Sequence, residues 1–190
     1  GMHLDLEGEA NDYVGKGLSG GELSIRPFRQ AGYAQATHEN TIVGNTCLYG
    51  ATGGRLFAAG QAASRFAVRN SGAIAVVEGA GNHCCEYMTG GIVVVLGPVG
   101  RNFAAGMTNG AAYVLDETGG FPSRVNLDMV RIDDCTEGDD QLILGLVHEH
   151  LERTGSLRAR QLIEQWEVFR PLFRKVVPNT TPTAPHIHSH

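Results

Sequence analysis

The feature that most constrains this chain is a short repeated segment that fills the middle of the sequence. Four related segments, GGRLFAAG, SGAIAVVEG, GGIVVVLG and NGAAYVLD, begin at Gly53, Ser71, Gly90 and Asn109. The second residue of each segment is a glycine, and the steps between these glycines are 18, 19 and 19 residues. Self-similarity at a short fixed period is typical of solenoids, in which each repeat forms one coil.

The same register extends toward the start of the chain and predicts six strands. The reference positions are then Met2, Gly21, Gly54, Gly72, Gly91 and Gly110. In every segment the residues two and four positions after the reference are apolar, as expected for the inward face of a strand. These residues are Leu4, Leu6, Leu23, Ile25, Leu56, Ala58, Ile74, Val76, Val93, Val95, Ala112 and Val114. The pattern therefore predicts a mainly β fold, a parallel β-helix of about six coils.

The composition divides the chain into three predicted segments. Residues 1–120 form the glycine-repeat β-helix, residues 121–177 form an extension packed on the solenoid, and residues 178–190 form a disordered tail. Residues 28–41 lengthen one step of the repeat and are predicted to leave the solenoid as a loop. The extension is predicted to contain a strand near residues 124–132, followed by a helical pair.

The helical pair has recognisable ends and a predicted place to pack. Asp139 is predicted to cap the first helix, Gly155 to end it and Ser156 to cap the second helix. The second helix is predicted to carry an apolar stripe of Leu162, Trp166, Phe169 and Phe173 and to stop or kink at Pro171. The outward positions of the later coils are also apolar, namely Val77, Ile92, Val94, Leu96, Tyr113 and Leu115. We therefore expect the helices to cover this outer face.

Charge and cysteine usage exclude several classes of protein. The 15 Lys and Arg residues are scattered and are outnumbered by 20 Asp and Glu residues, so we expect no nucleic-acid partner. The sequence has neither an apolar run of roughly 20 residues nor a signal peptide, which predicts a cytoplasmic protein without a membrane partner. Its four cysteines have no CxxC spacing and are predicted to be buried, reduced thiols.

Two short motifs suggest binding sites, but a structural role in the repeat is favoured for both. Residues 15–20 match GxGxxG, but a β-type segment follows where a nucleotide site needs a helix. His83, Cys84, Cys85 and Glu86 are the densest run of metal-ligand types, and a small metal-dependent enzyme is the corresponding alternative. Adjacent ligands rarely close a tetrahedral site, so a core or corner role is favoured. Neither the His148 and His150 pair nor the tail histidines His186, His188 and His190 have metal-site spacing.

The remaining candidates are charged or amide residues at the predicted corners. Arg69 interrupts an apolar column, so we expect it to point inward and to pair with Glu78 or Glu86. No nucleophile and base occur together in a recognised catalytic context, so no catalytic, cofactor-binding or metal residue is predicted. The structural or interdomain candidates are Arg65, Arg69, Asn70, Glu78, His83, Glu86, Arg101 and Asn102.

Long stretches of the chain resemble a known family. They are residues 10–27 (ANDYVGKGLSGGELSIRP), 44–91, 93–117 (VVVLGPVGRNFAAGMTNGAAYVLDE) and 150–166 (HLERTGSLRARQLIEQW). Together they are similar to the C-terminal glycine-repeat domain of the glutamate synthase large (alpha) subunit. The resemblance implies a right-handed β-helix at the end of a large cytoplasmic enzyme. That enzyme makes two glutamates from glutamine and 2-oxoglutarate and carries FMN and a 3Fe–4S cluster.

The resemblance implies a role as scaffold and no chemistry of this segment's own. The glutaminase cysteine and the clustered cysteines of the family lie in other regions, so no cofactor is expected here. The expected partners are the other domains of the large subunit, or separate subunits equivalent to them, which the β-helix would hold in a fixed relation. An alternative is a stand-alone β-helix subunit of a related amidotransferase or of a complex like formylmethanofuran dehydrogenase.

Overall fold

The computed structural model describes residues 1–182 and shows a β-solenoid of about six turns with helices near the C-terminus. The strands are β1 (His3–Glu7), β2 (Ser19–Arg26), β3 (Thr41–Val43), β4 (Gly53–Ala58), β5 (Gln61–Ala62), β6 (Ser71–Val77), β7 (Thr89–Val95), β8 (Asn109–Leu115), β9 (Val130–Asp134) and β10 (Phe173–Pro178). The helices are α1 (Glu137–Thr154), α2 (Leu157–Glu164) and α3 (Trp166–Phe169). The predicted mainly β solenoid is confirmed, whereas its right-handed sense and its division into three segments stay predictions.

The long side of the solenoid is one sheet with the order β1-β2-β4-β6-β7-β8-β10-β9. Each successive pair from β1 to β8 is parallel, as one strand per coil requires, and β10 joins antiparallel to both β8 and β9. A second side is formed where β3 pairs with β5, and single bridges continue it from Ala62 to Ala80 and from Ala80 to Val99. Because β3 begins at Thr41, the predicted loop ends one residue earlier than expected.

The third side of the solenoid is a ladder of backbone hydrogen bonds between segments with alternating residues at positive φ. The amide of Arg65 donates to the carbonyl of Asn82 at 2.8 Å, and the amide of His83 donates to the carbonyl of Arg101 at 2.9 Å. Arg65 and His83 have φ values of 61° and 63°. Successive coils therefore place equivalent residues directly above one another on this side.

The predicted register is wrong in one coil. Ala75 pairs with Leu56 on one side and with Val93 on the other, so Ala75 faces the interior. Ile74 and Val76, which were predicted to point inward, instead lie against the outer apolar cluster. Val77, predicted to point outward, lies inside. In this coil the residue equivalent to Gly54 and Gly91 is Ala73 rather than Gly72, and a shift of one residue exchanges the two faces of a strand.

The helices lie on the outer face of the later coils and form a second apolar core there. The sheet contributes Phe57, Val76, Val94, Leu96, Tyr113 and Leu115, and the helical region contributes Ile143, Leu146, Val147, Ala159, Leu162 and Phe169. Gly155 follows α1 with a φ of +69°, and the Ser156 hydroxyl accepts from the amide of Ala159, as predicted. The cap of α1 is Thr136 rather than Asp139, which is the third residue of the helix and completes a capping box with Thr136.

The end of the described chain differs from the prediction because a strand replaces the last part of the expected helix. Phe173 belongs to β10, although its spacing from Phe169 continues the helical stripe. The predicted strand near residues 124–132 lies at 130–134. Pro178 is in β10, and the Asn179 amide donates to the carbonyl of Met129, so the predicted disorder is wrong at that point. Residues 183–190, including His186, His188 and His190, lie outside the described residues.

Candidate functional site

A fully buried carboxylate joins the solenoid to the helices. Glu78 directly follows β6, and its side chain has no exposed surface. Its Oε2 accepts a hydrogen bond from the Ser156 hydroxyl at 2.8 Å and lies 2.7 Å from His150 Nε2 on α1. Its Oε1 accepts a hydrogen bond from the Thr37 hydroxyl. One carboxylate therefore binds three separate parts of the chain, and we call these four residues the Glu78 cluster.

The Glu78 cluster has the form of a structural junction. Glu78 Oε2 and His150 Nε2 are 2.7 Å apart, so one shared proton joins the carboxyl group to the ring. His150 Nδ1 is buried and has no partner among residues 1–182. The Ser156 hydroxyl contacts Glu78 and the amide of Ala159 at the start of α2, with no bond to His150. Serine and histidine are thus both near the carboxylate without forming a nucleophile and base pair.

The predicted partner of Glu78 was wrong. Arg69 is exposed and forms no ion pair with Glu78 or Glu86. Arg69 has a φ of 56°, and its amide donates to the carbonyl of Glu86 in the next coil, so only the backbones of these two residues meet. Arg69 is in fact equivalent to Gly50 and Tyr87, and the buried Asn70 occupies the apolar column of Leu18, Ala51, Met88 and Met107. Thr37, His150 and Ser156 were not predicted as its partners. The one signal for them was an acid inside the apolar run AIAVVEG.

A second polar junction holds the start of α1 against the sheet. Asp139 accepts a hydrogen bond from the Tyr113 hydroxyl at 2.7 Å and lies 2.9 Å from Lys175 Nζ on β10. Its other oxygen accepts from the amide of Thr136 at 2.8 Å. Burial acts to raise the pKa of Asp139, but the hydrogen bonds from Tyr113, Thr136 and Lys175 outweigh it and lower that pKa. Burial and the bond to Asp139 raise the pKa of Tyr113, so Tyr113 remains a donor.

We expect this junction to make the stability of the chain fall at acidic pH. Folding lowers the pKa of Asp139 below its ordinary value of 3.8. The ionised Asp139 side chain therefore contributes its full share of the folding stability above pH 3.8. The contribution is lost as the pH falls through the folded-state pKa. Asp139→Asn should cost about 1.5–3 kcal/mol of unfolding free energy at pH 7 and should flatten the pH dependence below pH 5.

Urea denaturation between pH 2.5 and pH 7 measures both effects. Asp134→Asn is the control, because the Asp134 side chain is 96% exposed and its contact with Arg174 is 3.7 Å long. Equal pH profiles for the wild type and Asp139→Asn would contradict the assignment.

Most of the other candidates lie on the third side of the solenoid. Arg65, Arg69 and Arg101 are exposed there, and within residues 1–182 none of them forms an ion pair. His83 Nδ1 lies 3.3 Å from Glu86 Oε2 and 3.2 Å from Asn102 Nδ2. Tyr87 is 55% exposed on the same side. We define Arg65, Arg69, His83, Tyr87 and Arg101 as the arginine face.

Asn70 and Asn102 act on the backbone and side chains of their neighbours. Asn70 is fully buried, and its Oδ1 accepts from the amides of Gly72 and Ala73 while its Nδ2 donates to the Ala73 carbonyl. These bonds hold the corner before β6. Asn102 Oδ1 accepts from Asn126 Nδ2 at 2.9 Å, which links two successive coils.

A cleft with a volume of about 520 Å³ lies beside the Glu78 cluster. Its lining includes Arg26, Thr37, Arg153 and Ser156. Arg26 is paired with Glu7 at 3.3 Å, and Arg153 is paired with Glu22 at 2.5 Å. Arg29, which also lines the cleft, forms no ion pair within residues 1–182, and the acids Asp5 and Glu152 lie in the same lining.

The thiols are not arranged as ligands of an iron–sulfur cluster. Cys84 and Cys85 are buried with their sulfurs 3.7 Å apart, and burial raises the pKa of Cys47 to about 11 and that of Cys135 to about 12. Among residues 1–182, no three His, Cys, Asp or Glu side chains are grouped to hold a metal ion. A 3Fe–4S cluster needs three thiolates together, so the described residues do not fit it. None of the described helices is both long and apolar enough to cross a bilayer.

Comparison with known proteins places this architecture in a family. The model of the GXGXG motif family matches residues 1–179. The chain belongs to the GXGXG family. This GXGXG chain is 52% identical over 187 residues to ferredoxin-dependent glutamate synthase 2 of Synechocystis sp.. It is 53% identical over 186 residues to the chloroplastic/mitochondrial ferredoxin-dependent glutamate synthase 1 of Arabidopsis thaliana. It is also 53% identical over 179 residues to glutamate synthase [NADH] of Schizosaccharomyces pombe.

These relatives are much longer than the GXGXG chain. The alignments cover 97%, 97% and 94% of this chain but only 12%, 11% and 8% of the respective relatives. The chain therefore corresponds to one region of glutamate synthases, and the resemblance that the sequence suggested is confirmed at the level of the family.

Proposed function

We propose that this chain is a scaffold domain of a glutamate synthase, the enzyme that makes two glutamates from glutamine and 2-oxoglutarate. The observation that carries the proposal is 52% identity over 97% of the chain to one region of a ferredoxin-dependent glutamate synthase. The domain would hold the glutaminase domain and the FMN-binding synthase domain in a fixed relation, so that ammonia is not lost between them. FMN and the 3Fe–4S cluster would lie outside this segment, and the enzyme would work in the cytoplasm.

The construction of the solenoid supports a mechanical role. Its interior is filled by side chains, among them Phe66, Phe103 and Met107, each with no exposed surface. A closely packed interior has low compressibility, so a solenoid filled in this way deforms little under load. The helices are tied to this body by a second apolar core and by the Glu78 cluster. Such a domain keeps a constant distance between the parts attached to its two ends.

The test uses the full-length polypeptide that carries this segment. We expect the wild type to form glutamate from glutamine and 2-oxoglutarate with a reductant, and to hydrolyse little glutamine that is not used for synthesis. Glu78→Ala, which should loosen the scaffold, is expected to raise the ratio of glutamine hydrolysed to 2-oxoglutarate consumed by about twofold or more. Glu149→Ala, on the exposed face of α1, is the control.

Two results would contradict the proposal. One is a full-length wild-type protein without glutamate synthase activity. The other is an unchanged ratio in Glu78→Ala when hydrogen exchange shows that the segment has loosened. The alternative of a stand-alone subunit in a related amidotransferase or formylmethanofuran dehydrogenase-like complex predicts a short native reading frame, with the other domains encoded separately.

A further inference from the structure

We propose that the arginine face is the surface on which an acidic face of another domain of the same enzyme docks. This inference rests on the scaffold function proposed above, and it names the surface and the chemistry of the partner. It is carried by three features of the face: unpaired guanidinium groups, a positioned aromatic ring, and side chains held at a strained backbone conformation.

The arginine face holds three of the six arginines that form no ion pair within residues 1–182, and the other three are Arg29, Arg124 and Arg160. Arg65, Arg69 and Arg101 are exposed and form no ion pair within residues 1–182. Seven arginines on other surfaces do form ion pairs, namely Arg26, Arg55, Arg131, Arg153, Arg158, Arg170 and Arg174. The formal net charge of the chain is −5, so three free positive charges on one side are a local reversal of its overall charge. Such a reversal favours a partner surface rich in carboxylates.

The ladder of the third side holds these groups in place. The amide of Arg65 donates to the carbonyl of Asn82, and the amide of His83 donates to the carbonyl of Arg101 in the coil after that. The amide of Arg69 donates to the carbonyl of Glu86, directly before Tyr87. The main chain at these residues is therefore fixed by hydrogen bonds. A partner that docks here orders little additional backbone, so the entropic cost of binding is small.

Tyr87 provides an aromatic anchor among the arginines. A Cβ atom at Gly106 would lie 2.5 Å from the Tyr87 ring, so the ring rests directly on this glycine. Tyr87 as a whole is nevertheless 55% exposed, so part of its side chain is accessible to a partner. Tyrosine and arginine are the residue types that dominate binding energy at protein interfaces.

The backbone at these positions indicates that the side chains are retained at a cost. Arg69 and Tyr87 have φ values of 56° and 55°, a region that costs a residue with a Cβ about 1–2 kcal/mol. Gly17, Gly50 and Gly106 occupy the same position of the ladder in other coils, with φ values of 66°, 63° and 68°. Glycine satisfies the local geometry without strain, so folding does not require an arginine and a tyrosine there. Binding to a partner accounts for both.

A protein partner fits this face better than a nucleic acid. Glu86 lies beside the face, 3.3 Å from His83, and interrupts the continuous basic stripe that a phosphate backbone needs. The overall charge of −5 also opposes a polyanion, whereas it permits a partner with a localised acidic patch.

The test compares arginine labelling by phenylglyoxal in two proteins, the 190-residue chain and the full-length polypeptide that carries it. Mass spectrometry should show that Arg65, Arg69 and Arg101 react at least about fivefold more slowly in the full-length protein. In the full-length variant Arg65→Glu/Arg69→Glu, the protection of Arg101 should disappear. The matched control is Arg29→Glu/Arg160→Glu, because both residues are exposed and form no ion pair in the described chain. Protection of Arg101 should persist in that control.

Three outcomes would overturn the inference. They are equal labelling of the three arginines in both proteins, protection of Arg101 that survives Arg65→Glu/Arg69→Glu, and protection that nuclease treatment removes. The last outcome would assign the face to a nucleic acid. Labelling is measured without an activity assay, so a failure here is distinguishable from a failure of the proposed glutamate synthase function.

Discussion

Glu78→Ala should lower the free energy of unfolding by about 3–5 kcal/mol, because it removes one member of a buried, hydrogen-bonded pair. The substitution leaves the His150 ring, the Ser156 hydroxyl and the Thr37 hydroxyl without their shared acceptor. His150 has no exposed surface, and Ser156 and Thr37 are only 2% and 3% exposed, so solvent replaces the lost bonds poorly. We also expect faster hydrogen exchange in α1 and α2, since the cluster joins both helices to the solenoid. Urea denaturation and hydrogen-exchange mass spectrometry measure these effects.

Glu149→Ala on the same helix is the matched control. Glu149 forms a pair with Arg55 at 2.7 Å, but their side chains are 39% and 38% exposed. An exposed pair contributes less than about 1 kcal/mol, so this variant should stay close to the wild type. If Glu78→Ala cost no more than Glu149→Ala, the Glu78 cluster would not be the junction that we describe.

Gly91→Ala should destabilise the solenoid by about 3 kcal/mol or more, through two separate causes. The first is the backbone, because Gly91 has a φ of +89°, where a Cβ atom costs about 1–2 kcal/mol. The second is space, because the new Cβ would collide with the carbonyl oxygen of Ala73 and would lie 2.8 Å from Asn70 Nδ2. The neighbouring coil would have to move, which disturbs the corner that Asn70 holds.

Gly119→Ala separates the two causes. Gly119 has a similar φ of +77°, but no atom lies within 4 Å of a Cβ placed there. This variant should therefore cost only about 1–2 kcal/mol, the backbone contribution alone. Thermal and urea denaturation of both variants give the comparison. Equal losses for Gly91→Ala and Gly119→Ala would show that contact between coils is not the larger cause.

The fold was predictable because its main determinant is local and repeated. Spacing of glycines with alternating apolar residues identified the coils, and pairs such as Leu23 with Leu56 and Val93 with Ala112 confirm that register. The error at Ile74 arose because Gly72 was taken as the equivalent of Gly54 and Gly91, whereas strand pairing places Ala73 there, and a shift of one residue exchanges the faces of a strand. β10 was missed because Phe173 continues a helical spacing, while its strand conformation depends on the free edge of β8.

The candidate site was less predictable than the fold. The sequence singled out Glu78 but paired it with Arg69, nine residues away, whereas its partners lie 41, 72 and 78 residues away in Thr37, His150 and Ser156. Contacts at such separations depend on how the helices fold back over the sheet. The arginine face was predicted only in part. Arg65, Arg69 and Arg101 were each named as candidates, but their shared exposure on one side of the solenoid was not predicted.

The sequence by itself determined the solenoid, the caps at Ser156 and Gly155, and the family, because repeated spacing and local capping chemistry act between neighbours in the chain. Only the tertiary structure decided that Glu78 contacts three distant side chains, that β10 completes the sheet, and that Arg65, Arg69 and Arg101 share one exposed side. The physical reason is that burial and pairing of charge depend on the surfaces that the folded chain brings together. The burial and the charge partner of a residue therefore cannot be read from its position in the repeat alone.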